Sequence, residues 1–345
     1  MWWLFLLLVL LLWEGIRYHT HRRLVTKWRS KHRLTAPIRN AWNVKYESTV
    51  PNITLHRQLA QKLVVYDTYS VLNPQYKPVL YYNLLRGVHE TAYAIAKYYG
   101  WRCYASQGVW FWERGSGSTL LFLHGFGFGP YAYGRVLHEL SKQYRVVAPQ
   151  YPGLSYDGRT DIPDIQDYAH CIKCYLGDQR YCIVSNSFGT IVHHALLRDL
   201  GSLAVSRVEQ QIYVEPVCFY PYAGQLFSFV EFSTQTCLAA PTWRAFAVAS
   251  LSYLLVAKDC STLYLCQQIL EDPKWDGESY LPLIPSTIVL SERDSLIRVP
   301  ELRDYFQLQH PQCNVIVLQG AYHGEALFSP QLKINTLLFP CVTKE

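Results

Sequence analysis

The stretch that most constrains this chain is an apolar strand that runs into a turn centred on a serine and then directly into a helix. It reads Tyr-Cys-Ile-Val-Ser-Asn-Ser-Phe-Gly-Thr-Ile-Val over residues 181–192. A serine at such a turn has its Oγ lifted clear of the sheet, and the next backbone N–H is free to bind an oxyanion. The residues two before and two after it must be small because the backbone folds tightly, and Ser185 and Gly189 hold these positions. The pattern predicts Ser187 as a nucleophile.

Residues that would complete a catalytic group stand before and after the serine, and the titratable ones come in the order Ser, Asp, His. An apolar run at 119–123 ends in the glycine-rich turn His-Gly-Phe-Gly-Phe-Gly-Pro, about 60 residues before the serine. Two later apolar runs, 286–290 and 314–318, lead to Asp294 and His323. Each catalytic residue type therefore stands at the carboxyl end of its own predicted strand, where open α/β sheets bind ligands.

These segments resemble the α/β-hydrolase superfamily, over roughly residues 105–340. The motifs that carry the resemblance are the glycine-rich turn, the serine turn, Asp294 and His323-Gly324. The segments 215–219, 289–294 and 323–325 resemble, more narrowly, a group of membrane-associated eukaryotic α/β-hydrolases. The resemblance implies an α/β-hydrolase fold, with a mostly parallel sheet flanked by helices.

The resemblance also implies roles for individual residues. Ser187 would be the nucleophile, His323 the general base, and Asp294 the group that orients and stabilises the imidazolium. The backbone N–H groups of Phe126 and Phe188 would form the oxyanion hole. Dehalogenases and epoxide hydrolases of this fold use aspartate at the turn, where this chain has serine.

A second carboxylate competes for the role of acid. Glu215 stands at the end of the apolar strand 211–214, from which its side chain could also approach His323. Asp294 is favoured because the acid of this fold normally arrives from the later strand. Glu215 is followed by Pro216 and is better suited to shaping the exit of the chain from the strand.

No metal and no organic cofactor is expected, since a Ser-His-Asp hydrolase works through an acyl-enzyme alone. The pair Cys171-x-x-Cys174 falls in a helical pattern without a second pair or a histidine pair nearby, so we do not predict a zinc site there.

The amino terminus predicts a membrane anchor. Residues 1–13 are apolar, but a full crossing needs about 20 such residues, so segment 1–18 would span thinly or lie in one leaflet. No basic residue precedes the apolar run and no small-x-small cleavage site follows it, which argues against a signal peptide. Positive flanks stay cytoplasmic. We therefore expect a hydrolase domain that faces the cytosol, on the endoplasmic reticulum or a lipid droplet.

The positive charge of the chain is confined to the same region. Residues 14–39 contain eight Lys or Arg and one Glu, which gives this segment a net charge of +7. The whole chain has a formal net charge of +6, so the remaining residues sum to −1. A short basic collar beside an apolar segment is not the basic face of a nucleic-acid-binding domain. Nucleic acid is therefore excluded as a partner, and membrane lipid is expected.

The predicted organisation has four parts: an anchor (1–18), a basic collar (19–39), a helical subdomain (40–104) and an α/β-hydrolase domain (105–345). Alternating strands and helices predict a mostly parallel sheet. About 70 residues separate two late strands, too many for a simple crossover, so an apolar helical lid is predicted at about 217–284. Strands are expected at 110–112, 120–123, 145–148, around Cys182, and at 211–214, 286–290 and 314–318. Helices are expected at 131–143, 162–176, 188–200, 300–310 and 325–338.

The sequence thus predicts a membrane-anchored serine hydrolase, a carboxylic-ester hydrolase or lipase whose substrates are esters or acyl-lipids with apolar acyl chains. Acyl transfer to an alcohol or lysophospholipid on the same scaffold is an alternative. A catalytically silent binding or scaffold protein at the membrane is another, and it is favoured by Ser185, since the common pattern has glycine at that position.

Overall fold

A computed structural model describes residues 79–126, 129–151, 163–219 and 281–338, with six isolated positions before residue 20. Apart from those positions, the predicted anchor and collar lie outside the described residues, as do residues 40–78 and the central part of the predicted lid, 220–280. Among the described residues we find no helix with both the length and the apolar character needed to cross a bilayer.

Strands and helices alternate along most of the described chain. The strands are β1 (Arg102–Ser106), β2 (Val109–Arg114), β3 (Thr119–Leu123), β4 (Arg145–Gln150), β5 (Tyr181–Asn186), β6 (Val208–Val214), β7 (Ser286–Arg293) and β8 (Asn314–Tyr322). The helices are α1 (Val79–Tyr98), α2 (Gly134–Leu140), α3 (Ile165–Leu176), α4 (Gly189–Leu200), α5 (Ala204–Arg207), α6 (Val299–Gln309) and α7 (Ile334–Leu337). Single 3₁₀ turns cover Gly129–Tyr133, Gly201–Leu203 and Ala326–Phe328.

The strands form one sheet in the order β1-β2-β4-β3-β5-β6-β7-β8. The pairs β1–β2 and β2–β4 are antiparallel, and the other pairs are parallel. The mostly parallel sheet predicted from the alternation of strands and helices is therefore confirmed. Because β5, β6, β7 and β8 are parallel neighbours, their carboxyl ends lie along one edge of the sheet, and this edge positions the site described below.

The central strands of the sheet are buried on both faces, since their side chains point alternately to opposite sides and an apolar core lies on each side. Leu121 and Leu123 of β3 contribute to one core, with apolar side chains of α3, α4 and α6. Leu120 and Phe122 contribute to the other core, with side chains of α2 and of the segment that follows β8. All five residues of β3 are buried. A strand buried on both faces is expected to be a continuous apolar run, which is how this one appears in the sequence.

The edge strand β1 was not predicted. It pairs with β2 through a two-residue turn, in which Gln107 has φ +48° and Gly108 has φ +79°. Two positive φ angles match the type I′ hairpin turn, for which Asn-Gly and Asp-Gly are the strong signals. Gln-Gly is a weaker signal, and the exposed residues of β1 do not form an apolar run.

The helix predicted at 325–338 was wrong. The segment instead forms the 3₁₀ turn Ala326–Phe328, a second turn in which the Leu332 N–H donates to Ser329 O at 3.1 Å, and the short helix α7. Pro330 explains the break, because proline has no N–H for a helical hydrogen bond and disfavours helical geometry in the residue before it. Ser329 accordingly has φ −69° and ψ 132°.

Candidate active site

Three side chains from the carboxyl edge of the sheet form a hydrogen-bonded line. Ser187 Oγ lies 2.8 Å from His323 Nε2, and His323 Nδ1 lies 2.6 Å from Asp294 Oδ2. A carboxylate only accepts hydrogen bonds, so the network assigns the imidazole proton to Nδ1 and leaves Nε2 to accept the hydroxyl proton of the serine. The structure thus brings together the three residues that the sequence singled out from three separate strands.

Ser187 occupies a sharp turn between β5 and α4. Its φ is +49°, and its backbone N–H donates to Val214 O at 2.9 Å. A residue other than glycine in this left-handed region is uncommon and costs on the order of 1–3 kcal/mol, so the surrounding structure must hold it in place. Gly189 allows the helix to start so close to the sheet, because a Cβ there would lie 2.2 Å from Leu123 O.

Ser185, in the position where glycine is common, fits into this turn. Its side chain is fully buried, and its Oγ lies 3.0 Å from His193 Nδ1 and 3.3 Å from Ile212 O. The His193 ring stacks on Tyr213 with centroids 4.4 Å apart. The hydroxyl therefore has hydrogen-bonding partners between β5 and α4, and it is compatible with the turn.

Asp294 is held rigidly towards His323. Its Oδ1 accepts hydrogen bonds from the backbone N–H groups of Leu296 at 2.8 Å and Ile297 at 3.1 Å, which leaves Oδ2 for the imidazole. Burial by itself lowers the pKa of His323, but the hydrogen bond and charge of Asp294, followed by the charge of Glu215, outweigh it, so the pKa is raised above 6.5. The imidazolium is therefore the favoured form to a higher pH than in an ordinary histidine.

Glu215, the alternative acid, contacts the backbone after His323 and has no hydrogen bond to the imidazole among those the structure describes. Its carboxylate accepts from the N–H groups of Gly324 at 2.8 Å and Ala326 at 3.3 Å. Of the two carboxylates considered, Asp294 is the one bonded to Nδ1.

The loop after β3 lies directly against the serine turn. A Cβ on Gly125 would come within 3.1 Å of both Tyr133 Oη and Asn186 Oδ1, and within 3.2 Å of Ser187 Cβ. Next along the loop, the Phe126 ring packs against Phe188 with centroids 4.7 Å apart. The two residues predicted to supply oxyanion donors are thus neighbours at the turn. Gly127 and Phe128 of the same loop lie outside the described residues.

His124 supports this loop as a neutral side chain. Its Nδ1 lies 2.7 Å from Gly125 O, and its Nε2 accepts from the backbone N–H of Tyr151 at 3.1 Å. Burial lowers the pKa of His124 to about 4, against a smaller opposite effect of the hydrogen bond to Gly125. The imidazole therefore joins the loop after β3 to the end of β4 without carrying charge.

Two further residues connect the parts of the site, and the sequence analysis missed both. Tyr133 Oη accepts from the Gly125 N–H at 3.3 Å and donates to Asn186 Oδ1 at 2.7 Å. Asn186 Nδ2 in turn donates to Glu215 Oε2 at 3.1 Å. Asn186 could have been noticed as the residue directly before the predicted nucleophile, whereas no pattern in the sequence marks Tyr133.

The two acids and the imidazole are also groups that can act as metal ligands. One atom each of Glu215, Asp294 and His323 lies within 4.8 Å of the others. Binding a cation there would require removing the proton that His323 Nδ1 donates to Asp294 and displacing the N–H donors of Glu215. The geometry therefore fits a hydrogen-bonded acid and base better than a metal site.

Comparison with known sequences supports the assignment of the fold. The family described as the alpha/beta hydrolase family matches residues 120–332, which is more than half of the chain and includes Ser187, Asp294 and His323. No curated protein matches the chain in sequence. The narrower resemblance to membrane-associated eukaryotic hydrolases stays a prediction.

The solved structures that are similar to this chain share little sequence identity with it. Carboxylesterase CesB of Bacillus subtilis is 16% identical, with 74% of this chain and 98% of that chain covered and a TM-score of 0.51. Naproxen esterase of Bacillus subtilis is 17% identical, with 71% and 94% covered and a TM-score of 0.48. An epoxide hydrolase of Bacillus megaterium is 16% identical, with 68% and 98% covered and a TM-score of 0.49. At such identities the likeness concerns the fold alone.

Proposed function

The chain belongs to the alpha/beta hydrolase family, and from this premise we propose that it is a serine hydrolase of carboxylic esters that works through an acyl-enzyme on Ser187. The observation that supports this most directly is the line of hydrogen bonds from Ser187 through His323 to Asp294. The turn carries a serine, where an epoxide hydrolase would need a carboxylate. This supports attack on an ester carbonyl over the opening of an epoxide.

In the first half of the reaction, Ser187 Oγ attacks the ester carbonyl carbon while its proton passes to His323 Nε2. Asp294 stabilises the imidazolium that forms. The backbone N–H groups of Phe126 and Phe188 would bind the oxyanion of the tetrahedral intermediate. When the carbonyl is restored, the bond to the alkoxy oxygen breaks, and that oxygen takes the proton from Nε2 and leaves as an alcohol.

The second half repeats the chemistry with water. His323 Nε2 takes a proton from a water molecule as its oxygen attacks the acyl carbon, and collapse of the intermediate returns the proton to Ser187 Oγ and releases a carboxylic acid. An alcohol in place of this water would give acyl transfer. Analysis of products with and without an added alcohol separates the two reactions.

The alternative of a catalytically silent protein depended on Ser185. The buried partners of its hydroxyl, together with the formed line of Ser187, His323 and Asp294, argue against that alternative. A direct experiment is hydrolysis of para-nitrophenyl esters by the purified full chain, with Ser187→Ala as the background. Turnover that depends on Ser187 supports the proposal, whereas equal turnover by both proteins contradicts it.

The same assay tests the proposed apolar acyl substrate. The half-buried Phe126 ring, which packs on the buried Phe188 next to Ser187, and the apolar composition of the predicted lid support such a substrate. Each buried CH₂ contributes about 0.8 kcal/mol, so kcat/KM should rise about fourfold per added methylene until the acyl site is filled. Esters from acetate to decanoate measure this, and a flat or short-chain-biased profile would contradict it.

We also propose that residues 1–33 attach the protein to a membrane, with the hydrolase domain on the cytosolic side of the endoplasmic reticulum or a lipid droplet. The apolar run supplies burial, and each Lys or Arg of the collar adds about 1 kcal/mol at an anionic surface. Deletion of residues 1–33 should move the protein from the membrane pellet to the supernatant with its esterase activity retained. Protease added to sealed microsomes should digest the domain of the full chain, and protection from digestion would reverse the proposed orientation.

A further inference from the structure

Glu215 occupies on β6 the same position that Ser187 occupies on β5. Each is the first residue after its strand, and each has φ +49°. Their backbone N–H groups make equivalent bonds to the next strand, from Ser187 to Val214 O at 2.9 Å and from Glu215 to Val289 O at 2.8 Å. Strained residues of this kind are concentrated at functional sites, where the strain sets the direction of a side chain. Here it directs a second carboxylate towards the end of β8.

The Glu215 carboxylate is fully buried and accepts four hydrogen bonds from the residues that the structure describes. The donors are Ser291 Oγ at 2.6 Å, Gly324 N at 2.8 Å, Asn186 Nδ2 at 3.1 Å and Ala326 N at 3.3 Å. A buried carboxylate is costly unless it is compensated in this way. The donors belong to the end of β5, to β7 and to the loop after β8, so one side chain joins three segments that also supply Ser187, Asp294 and His323.

Glu215 acts on His323 from two directions. Its bonds to the N–H groups of Gly324 and Ala326 fix the backbone immediately after the histidine. One of its oxygens also lies within 4.8 Å of an imidazole nitrogen and of an Asp294 oxygen. The imidazole therefore faces two carboxylates, one through a hydrogen bond and one through space.

We propose that Glu215 is a positioning residue for the hydrolytic reaction. It fixes the loop that carries His323, and its negative charge, added to that of Asp294, stabilises the imidazolium formed when Ser187 gives up its proton. Through Asn186 and Tyr133 the same network reaches Gly125 in the loop after β3. This inference rests on the proposed function, because it assigns Glu215 a part in the same reaction.

The sign of the electrostatic effect gives the first test, the pH profile of kcat/KM. The protonated histidine is inactive. Burial lowers the pKa of His323, whereas the hydrogen bond and charge of Asp294, and then the charge of Glu215, raise it. Glu215→Gln removes that charge while keeping the size of the side chain. The acid limb of the profile should therefore move to lower pH, and kcat should fall about 10- to 100-fold with little change in KM, since the base is less well placed.

The matched control is Glu209→Gln, which removes a charge from the opposite end of the same strand, where Glu209 pairs with Arg180 at 3.1 Å. It should leave both kcat and the acid limb as in the wild type. A Glu215→Gln enzyme whose acid limb coincides with that of the wild type would overturn the electrostatic part of the proposal. A kcat equal to that of the wild type would overturn the positioning part.

A second variant covers the case in which Glu215→Gln does not fold. Glu215→Asp keeps the charge but shortens the side chain, so it should lose kcat while its acid limb stays near that of the wild type. Wild-type kcat in this variant would contradict the positioning role.

A readout without substrate separates this inference from the proposed function. NMR titration of ¹³C-labelled histidines, with the His323 signal assigned by its loss in His323→Gln, follows protonation of the imidazole directly. In Glu215→Gln the His323 imidazole should titrate at lower pH than in the wild type, as the acid limb of kcat/KM does. In Glu215→Asp it should titrate near the wild-type pH. If the wild type lacks turnover that depends on Ser187, the proposed function fails, but the titration still decides whether Glu215 acts on His323. An unchanged His323 titration in Glu215→Gln would overturn the inference.

Discussion

Ser187→Ala is expected to lower kcat for ester hydrolysis by a factor on the order of 10⁶ while the protein stays folded. The variant removes the only oxygen in the line that can form the acyl-enzyme, since His323 and Asp294 act on the reaction through it. The folded state loses one hydrogen bond, worth about 1 kcal/mol, and no core volume. Steady-state kinetics on the best para-nitrophenyl ester, together with thermal unfolding by circular dichroism, measure both effects.

The matched control for this variant is Ser185→Ala, which removes a hydroxyl two residues away in the same turn. This substitution removes the hydroxyl that lies 3.0 Å from the buried His193 Nδ1, so the free energy of unfolding should fall by about 1–3 kcal/mol while kcat stays within about tenfold of the wild type. If Ser187→Ala keeps its activity, or if Ser185→Ala is the inactive variant, the nucleophile has been misassigned.

Asp294→Asn is expected to lower kcat by about 10⁴-fold. The new side chain keeps an oxygen to accept the N–H groups of Leu296 and Ile297, so the local structure is preserved. Its amide N–H₂ would face His323 Nδ1, which favours the imidazole tautomer with the proton on Nε2. That tautomer cannot accept the proton of Ser187. The measurement is kcat, with folding checked by thermal unfolding.

The comparison with Glu215→Gln makes this prediction specific to the acid. Both variants replace a carboxylate near His323 by the corresponding amide, but only Asp294 bonds Nδ1. Asp294→Asn should therefore lose at least a hundredfold more activity than Glu215→Gln. If the two folded variants rank in the opposite order, Glu215 is the acid of the reaction.

Much of the fold followed from apolar runs in the sequence. The strands β3, β5 and β7 are buried on both faces, and such strands are continuous apolar segments whatever their neighbours are. The candidate site could be predicted from the same signal, because the carboxyl end of a parallel strand is where its functional residue stands. Ser187, Asp294 and His323 directly follow β5, β7 and β8, respectively.

What the sequence did not reveal depends on contacts between distant segments. The turn between β1 and β2 is Gln-Gly, a weak turn signal, and Pro330 breaks the helix that was predicted at 325–338. The part that we propose for Glu215 could not be predicted from the sequence for a related reason. Its donors come from residues near 186, 291 and 324, and no local pattern brings these segments together. The left-handed φ of Glu215 is likewise visible only in the folded chain.

Covalent labelling tests most directly whether Ser187 is an activated nucleophile. The full chain is treated with a fluorophosphonate, digested, and mapped by mass spectrometry, beside Ser187→Ala and Ser185→Ala. A fluorophosphonate needs both an activated serine and oxyanion donors to react. We predict a single phosphonylated residue, Ser187, in the wild type and in Ser185→Ala, and no adduct in Ser187→Ala. Absence of an adduct on Ser187 in the folded wild type, or equal labelling of Ser187→Ala, would contradict the account.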